Sequence, residues 1–339
     1  MKIQYYIIVA LIFCAVPLFF IRPDFGFEKY SETSQTQKLQ ENQSFGLVPS
    51  VQWPVPGSAP EENVNHTIPL EEIKQGCNRQ DCIPSIDNPI FAPVDAMTDI
   101  IAPHSIGIAL SYKGVNRFYP FPMLETHELV NDTVAGDPLL ISYCPLCGTG
   151  IVFDRVLEGE PVLFGVSGML WQSNLLMYNR AQELQDRNLW SQVLGQSVVG
   201  RRAGEKLTII PSDIMRFSDW TTQYPQGQIL TTGLPRDPYG GKYYSVAQRF
   251  EPNFDVSQSP LLADTYVYGV EIDGVYKAYP RDDLPEGEIR DMIGSQVILI
   301  TNDNQKVTVK LEDGSPVSDV EGFWFSWYAA HPDTLLWNN

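Results

Sequence analysis

Two stretches of the chain, Ile106–Tyr112 and Tyr266–Ile272, alternate apolar and polar positions, the period-2 pattern of a half-buried strand. Each runs into a turn and a second extended segment. Asp273-Gly274 is a strong hairpin signal, because both central residues of a type I′ turn need positive φ. The segments that follow match slot for slot: Gly114-Val-Asn-Arg-Phe-Tyr-Pro-Phe-Pro-Met-Leu124 and Gly274-Val-Tyr-Lys-Ala-Tyr-Pro-Arg-Asp-Asp-Leu284 share Gly, Val, Tyr, Pro and Leu at an offset of 160. Further on, Leu139–Ser142 corresponds to Val297–Ile300. Phe217-Ser-Asp-Trp220 with Tyr224-Pro225 echoes Phe325-Ser326-Trp327 with His331-Pro332. Each copy therefore reads as a hairpin, further strands, and a short helix closed by a turn. The fold class that follows is mainly β with short helices (α+β), in two related strand-rich units forming a pseudo-symmetric duplicated domain. The first unit spans 75–232 and the second, degenerate, unit 264–339, with a Pro/Gly/Tyr-rich connection over 233–263.

The amino terminus has a different pattern. Ile3 to Ile21 is apolar apart from Gln4, Tyr5, Tyr6 and Pro17, about the length a helix needs to cross a bilayer core. Its exit, Leu18-Phe-Phe-Ile-Arg-Pro23, lacks the small residues of a cleavage site. Residues 1–22 thus read as a membrane anchor, or else a signal segment. Residues 23–74, rich in Ser, Gln, Glu, Asn, Thr and Pro, read as a flexible extracytoplasmic tether. This predicts a globular part outside the cytoplasm, in the periplasm or at the cell surface, joined to the membrane through the N-terminal helix. Charge narrows the partners: 23 Lys and Arg against 41 Asp and Glu give a net −18 over 339 residues. That sign opposes nucleic-acid binding. The 26 prolines and 25 glycines favour a turn-rich fold over a helical bundle.

Five cysteines suggest the chemistry. Cys14 is part of the apolar run. Cys77 and Cys82, four residues between them, suit a disulfide in an oxidising compartment. Cys144-Pro-Leu-Cys147-Gly148 lies between two strand-like runs rather than at the start of a helix, which suggests a metal knuckle. Only four histidines are available to complete such a site, and His127 is the preferred one. It falls in Glu125–Asp132, read as a short helix. The second copy lacks it together with both cysteines, having Gly287 and Thr301-Asn302-Asp303 in those places. Glu128 beside it is a candidate to orient the imidazole or to act as a general base. Neighbouring helical residues point about 100° apart, so Glu128 is not counted as a ligand.

Ile83-Pro-Ser-Ile-Asp-Asn-Pro-Ile-Phe91, Phe118-Tyr-Pro, His127-Glu-Leu-Val-Asn-Asp132, Tyr143-Cys-Pro-Leu-Cys-Gly148, Phe164-Gly-Val-Ser-Gly168, Leu176-Met-Tyr178, Leu189-Trp-Ser-Gln192 and Gly200 together resemble the bacterial and archaeal family called domain of unknown function 3179, over about residues 75–235. The resemblance implies where a site lies and carries no activity. The family pattern has Met-Tyr-Asp-Arg where this chain has Met177-Tyr178-Asn179-Arg180, and the chain is longer around Gln182–Asn188. Met177 with His127, Cys144 and Cys147 would make a soft donor set suited to copper. Zinc would take the cysteines, His127 and a water. Three readings result. One is a membrane-tethered metal protein in copper handling or electron transfer, with a redox or metal-transfer partner protein. Another is a thiol-dependent oxidoreductase or zinc enzyme acting on an unidentified small molecule, with Cys144, Cys147, Glu128 and Arg180 as candidate catalytic residues. The last is a binding module in which the knuckle is a structural staple.

Overall fold

The computed structural model of the chain describes residues 64–77, 79–232, 259–303 and 306–338. The apolar run at 3–21, Cys14 and most of the 233–263 connection lie outside the described residues. Among the described residues no helix is long and apolar enough to cross a membrane. In chain order the first part runs β1 (Ile73–Gln75), β2 (Ile106–Tyr112), β3 (Val115–Pro120), α1 (Phe121–His127), β4 (Leu129–Val134), β5 (Asp137–Cys144), β6 (Thr149–Asp154), β7 (Phe164–Trp171), β8 (Asn174–Asn179), β9 (Leu189–Ser191), β10 (Gln196–Val199), β11 (Asp213–Arg216), α2 (Phe217–Gln223) and β12 (Gln228–Leu230). The second runs β13 (Tyr266–Ile272), β14 (Val275–Pro280), β15 (Gly287–Ile293), β16 (Gln296–Asn302), β17 (Val307–Leu311), β18 (Asp319–Phe323), α3 (Trp324–Ala330) and β19 (Leu335–Leu336). Several shorter pieces lie between. The protein is mainly β, and the three α-helices among the described residues have seven residues each.

Both repeated motifs form antiparallel hairpins, β2–β3 and β13–β14. Their turns hold Lys113-Gly114 at φ 46° and 82° and Asp273-Gly274 at φ 52° and 78°, as a type I′ turn requires. Strand β11 lies antiparallel on the outer edge of β2, and β12 parallel on that of β3, with α2 between them. Strands β18 and β19 take the same two places on β13 and β14, with α3 between them. The registers also agree: Gln228 lies opposite Arg117, and Leu335 opposite Lys277.

The two parts differ in their meanders. Strands β4–β6 continue through a Gly150–Glu321 bridge into β18, so one eight-stranded sheet runs from β4 to β19. Strands β15–β17 instead form a separate four-stranded sheet with Pro316–Val317. A further five-stranded sheet, in the order β1-β7-β8-β9-β10, packs against the long one. Their shared core contains Leu140, Phe153, Phe164, Met177, Trp190 and, from the second part, Trp324 and Trp327.

Two expectations need correction. The tether predicted to reach residue 74 ends earlier, because Ile68 and Ile73 are buried and β1 pairs with β7. The helix predicted over 125–132 stops at His127. Glu128, at φ 57° and ψ −35°, cannot propagate it, and the Leu129–Val134 segment pairs with β5, where Leu129 and Val130 are fully buried.

Gly322 of β18 presses on the hairpin between β5 and β6: a Cβ there would overlap the Thr149 methyl and lie 3.3 Å from the Cys147 carbonyl. Gly322→Ala is expected to lower stability by about 1–3 kcal/mol, read as a fall in the urea midpoint at unchanged m-value. An unchanged midpoint would mean that this contact is loose in solution.

Candidate functional site

Strand β5 ends at Cys144 and β6 begins at Thr149, so Cys144-Pro-Leu-Cys147-Gly148 is the tip of a hairpin. The Cys147 amide donates to the Cys144 carbonyl over 3.1 Å, and Gly148 sits at φ 61° with Phe323 packed where its side chain would be. This bend brings the two sulfurs to 3.2 Å from each other. Both are free thiols, 1% and 0% exposed, and a reagent of protein size does not reach them in this conformation.

Other elements enclose the pair. The β7–β8 turn places Gln172 and Ser173 at φ 50° and 60°, a conformation costing a non-glycine residue roughly 1–2 kcal/mol. It turns the Ser173 carbonyl to accept from the Cys147 thiol at 3.2 Å. The next residue, Asn174, donates its amide to the Cys147 sulfur at 3.5 Å and to Gln192 Oε1 at 3.0 Å. Gln192, fully buried, also accepts from the Thr149 hydroxyl at 2.8 Å and donates to Ser142 and to the Thr149 carbonyl. Ser326 of α3 approaches the Cys147 sulfur, and its buried hydroxyl closes no well-formed hydrogen bond. Ser173 thus meets a thiol directly, and Gln192 holds the residues around it.

The environment separates the two sulfurs electrostatically. Burial raises the Cys144 thiol well above its ordinary value, and the hydrogen bond with Cys147 adds to this. Burial also pushes Cys147 upward, but the hydrogen bonds from Cys144 and Asn174 and the nearby Ser326 hydroxyl outweigh it and hold this thiol below the ordinary value.

His127 and Glu128 exchange the places expected of them. The helix ends at His127, whose Nδ1 lies 2.7 Å from the Pro84 carbonyl. Among the described residues no group of three or more His, Cys, Asp or Glu side chains could hold a metal ion, so His127 does not join Cys144 and Cys147 as a third ligand. The physical reason is the backbone at Glu128. Its positive φ, fixed by hydrogen bonds from its amide to Leu124 and from the Tyr143 amide to its carbonyl, lets the two side chains leave in different directions. Burial raises the Glu128 carboxyl to about 8, and its charge acts on both Cys144 and Cys147. Strain of this kind, about 1–3 kcal/mol, is typical of functional positions.

The other sequence candidates lie elsewhere or play supporting parts. Met177 is fully buried in the same apolar cluster as both cysteines. Cys77 and Cys82 are joined as a disulfide, with Cα atoms 6.5 Å apart. Their loop hydrogen-bonds the Gly168 and Val166 carbonyls of β7, and Gly168 leaves room for Cys77 and Arg79. Arg180 belongs to this loop and not to the thiols: it ion-pairs with Asp81 at 3.0 Å and with Asp87, while Tyr178 donates to Asp81. Asn179 is a buried hub that accepts from the Asn188 amide and Trp190 Nε1 and donates to the Asp186 carbonyl. The sequence motifs around residues 164–180 thus fasten the disulfide loop to β7 and β8.

A sequence profile described as "Protein of unknown function (DUF3179)" matches residues 80–314, more than two thirds of the chain. The chain belongs to this family. The family match continues through β13–β17, beyond the 75–235 span of the resemblance, so the DUF3179 region takes in both parts of the β body. Searches of curated proteins and of solved structures find no match.

Sequence reading missed Asn174 and Ser326. Asn174 had no motif of its own, although the adjoining turn did. Ser326 was visible only as part of the repeated Phe-Ser-Trp helix, with nothing to show that it faced thiols from the other part.

The folded state holds the Glu128 proton up to about pH 8, against an ordinary value of 4.5. It therefore binds more protons than the unfolded chain between these values and loses stability as pH rises through them. Glu128→Gln removes this share, so urea titrations should show the variant gaining stability relative to the parent between about pH 5 and about pH 8. A pH-independent difference would place the carboxyl in water. Arg180→Ala is expected to cost about 1–2 kcal/mol, since its pairs are partly exposed, while leaving the alkylation rate of Cys144 and Cys147 in the folded protein unchanged. A changed thiol rate would connect Arg180 to the site.

Proposed function

We propose that Cys144 and Cys147 form a redox-active dithiol and that Glu128 accepts the proton released when it oxidises. The observation that carries this reading is the contact of two buried sulfurs at 3.2 Å, one held toward the thiolate by donors and the other kept protonated beside a desolvated carboxyl. Environments that pull neighbouring titrating groups apart suit one to act as nucleophile and the other as acid. With a small disulfide RSSR as oxidant, the Cys147 thiolate attacks one sulfur, forming a mixed disulfide and releasing RS⁻. The neutral Glu128 carboxyl protonates that RS⁻, and the carboxylate so formed takes the Cys144 proton as the Cys144 sulfur attacks that of Cys147. The second RS⁻ leaves, the intramolecular disulfide closes, and two electrons have passed to RSSR. Burial of both sulfurs limits the exchange partner to a small molecule, or to a protein that opens the hairpin tip.

An extracytoplasmic, membrane-anchored placement belongs to the same proposal. The apolar run at 3–21 and the Cys77–Cys82 disulfide support it, since such bonds persist in oxidising compartments. A second reading, soft-metal handling with copper as the favoured ion, rests on Met177 sharing the buried cluster of the two cysteines. We also propose that the two parts of the β body arose by duplication. The support is that both hairpins have the same flanking strands, in the same sense and register.

Incubation of the reduced full-length chain with glutathione disulfide, followed by alkylation and mass analysis, should show the two thiols of Cys144 and Cys147 lost together and restored by dithiothreitol. Glu128→Gln should slow the loss about a hundredfold near neutral pH. Thiols that stay reduced while elemental analysis finds stoichiometric copper or zinc would overturn the redox reading in favour of the metal one.

A further inference from the structure

Behind the hairpin tip, on the side away from the sulfurs, lies a pocket of about 630 Å³. One wall is the tip itself, through Tyr143, Pro145 and Gly148. The facing wall comes from the second part of the chain, through Tyr266, Arg281 and Phe323. The aromatic surfaces are well ordered: Phe121 and Tyr143 stack at 4.0 Å and 23°, and Tyr266 meets Phe323 edge-on at 5.9 Å. Such surfaces favour a flat ring in offset or edge contact.

Two guanidinium groups, Arg216 and Arg281, line the same pocket. Neither forms an ion pair with a carboxylate among the described residues. The Arg281 guanidinium lies over the Tyr266 ring at 5.3 Å. Three carboxyls also border the pocket. Burial makes Glu125 hold its proton more tightly, and Asp219, in the first turn of α2, already accepts from the Ser218 hydroxyl at 3.1 Å. Asp282 is the remaining acid, next to Arg281 in the chain. Beside these acids the pocket presents two planar cationic forks next to an aromatic slot, and a guanidinium fork matches a carboxylate in shape and charge.

We propose that this pocket binds a small planar organic carboxylate, its ring against the aromatic wall and its carboxylate on Arg216 and Arg281. The proposal does not depend on the redox reading, because it uses the opposite face of the tip and no thiol. Three probes of one shape test it on the full-length chain by calorimetry: benzoate, neutral benzamide and cationic benzamidine. Benzoate is expected to bind at least tenfold more tightly than benzamide, with benzamidine the weakest. The Arg216→Ala/Arg281→Ala double variant, altered only at exposed side chains, should melt as the parent does and lose the benzoate preference. Benzamidine binding as tightly as benzoate would overturn the proposal, since the acids would then govern the site. So would benzoate affinity unchanged in the double variant.

Discussion

The contact between the Cys144 and Cys147 sulfurs sets a packing problem that much of the architecture serves. A hairpin tip alone would bring the two thiols together and leave them in water. Here the tip is closed by the β7–β8 turn, by Asn174 and Gln192, and by helix α3, which belongs to the distant end of the chain. A polar network inside a core stabilises only when its members are satisfied. Gln192 uses both ends of its amide and Asn174 likewise, through Cys147, Gln192 and the Val193 amide. The Ser326 hydroxyl is the exception, and it adjoins the sulfur held closest to the thiolate state.

The reversed roles of His127 and Glu128 come from one backbone position. With Glu128 at positive φ, the chain enters β4 at once, the imidazole hydrogen-bonds to the Pro84 carbonyl, and the carboxyl is left desolvated near the thiols. The arrangement resembles a proton store more than a coordination sphere. A neutral acid beside a dithiol costs little to bury, whereas two thiolates and a carboxylate together would repel one another strongly without a cation among them.

Much of the fold was legible because its signals are local. The alternating runs, the Asp273-Gly274 turn and the Cys-Pro-x-Cys-Gly bend each depend on a few adjacent residues, and each is found where the pattern placed it. The helix end at His127 was not legible. It depends on a strained φ at Glu128 that the Tyr143 amide, fifteen residues on, helps to fix in place. The same limit applies to Arg180, whose Asp81 and Asp87 partners lie about a hundred residues earlier in the chain. Its position in a motif beside Met177 suggested chemistry, while long-range pairing gives it a fastening part.

The order in which the chain is made adds one consequence. Strand β18 and helix α3 come after every element of the first part, and Gly322, Phe323 and Ser326 are all within them. During synthesis the elements of the first part can form before these two emerge, so the cysteine pair is walled in late. Until then a growing chain presents its thiols to the surroundings, and the docking of β18 and α3 shuts that access.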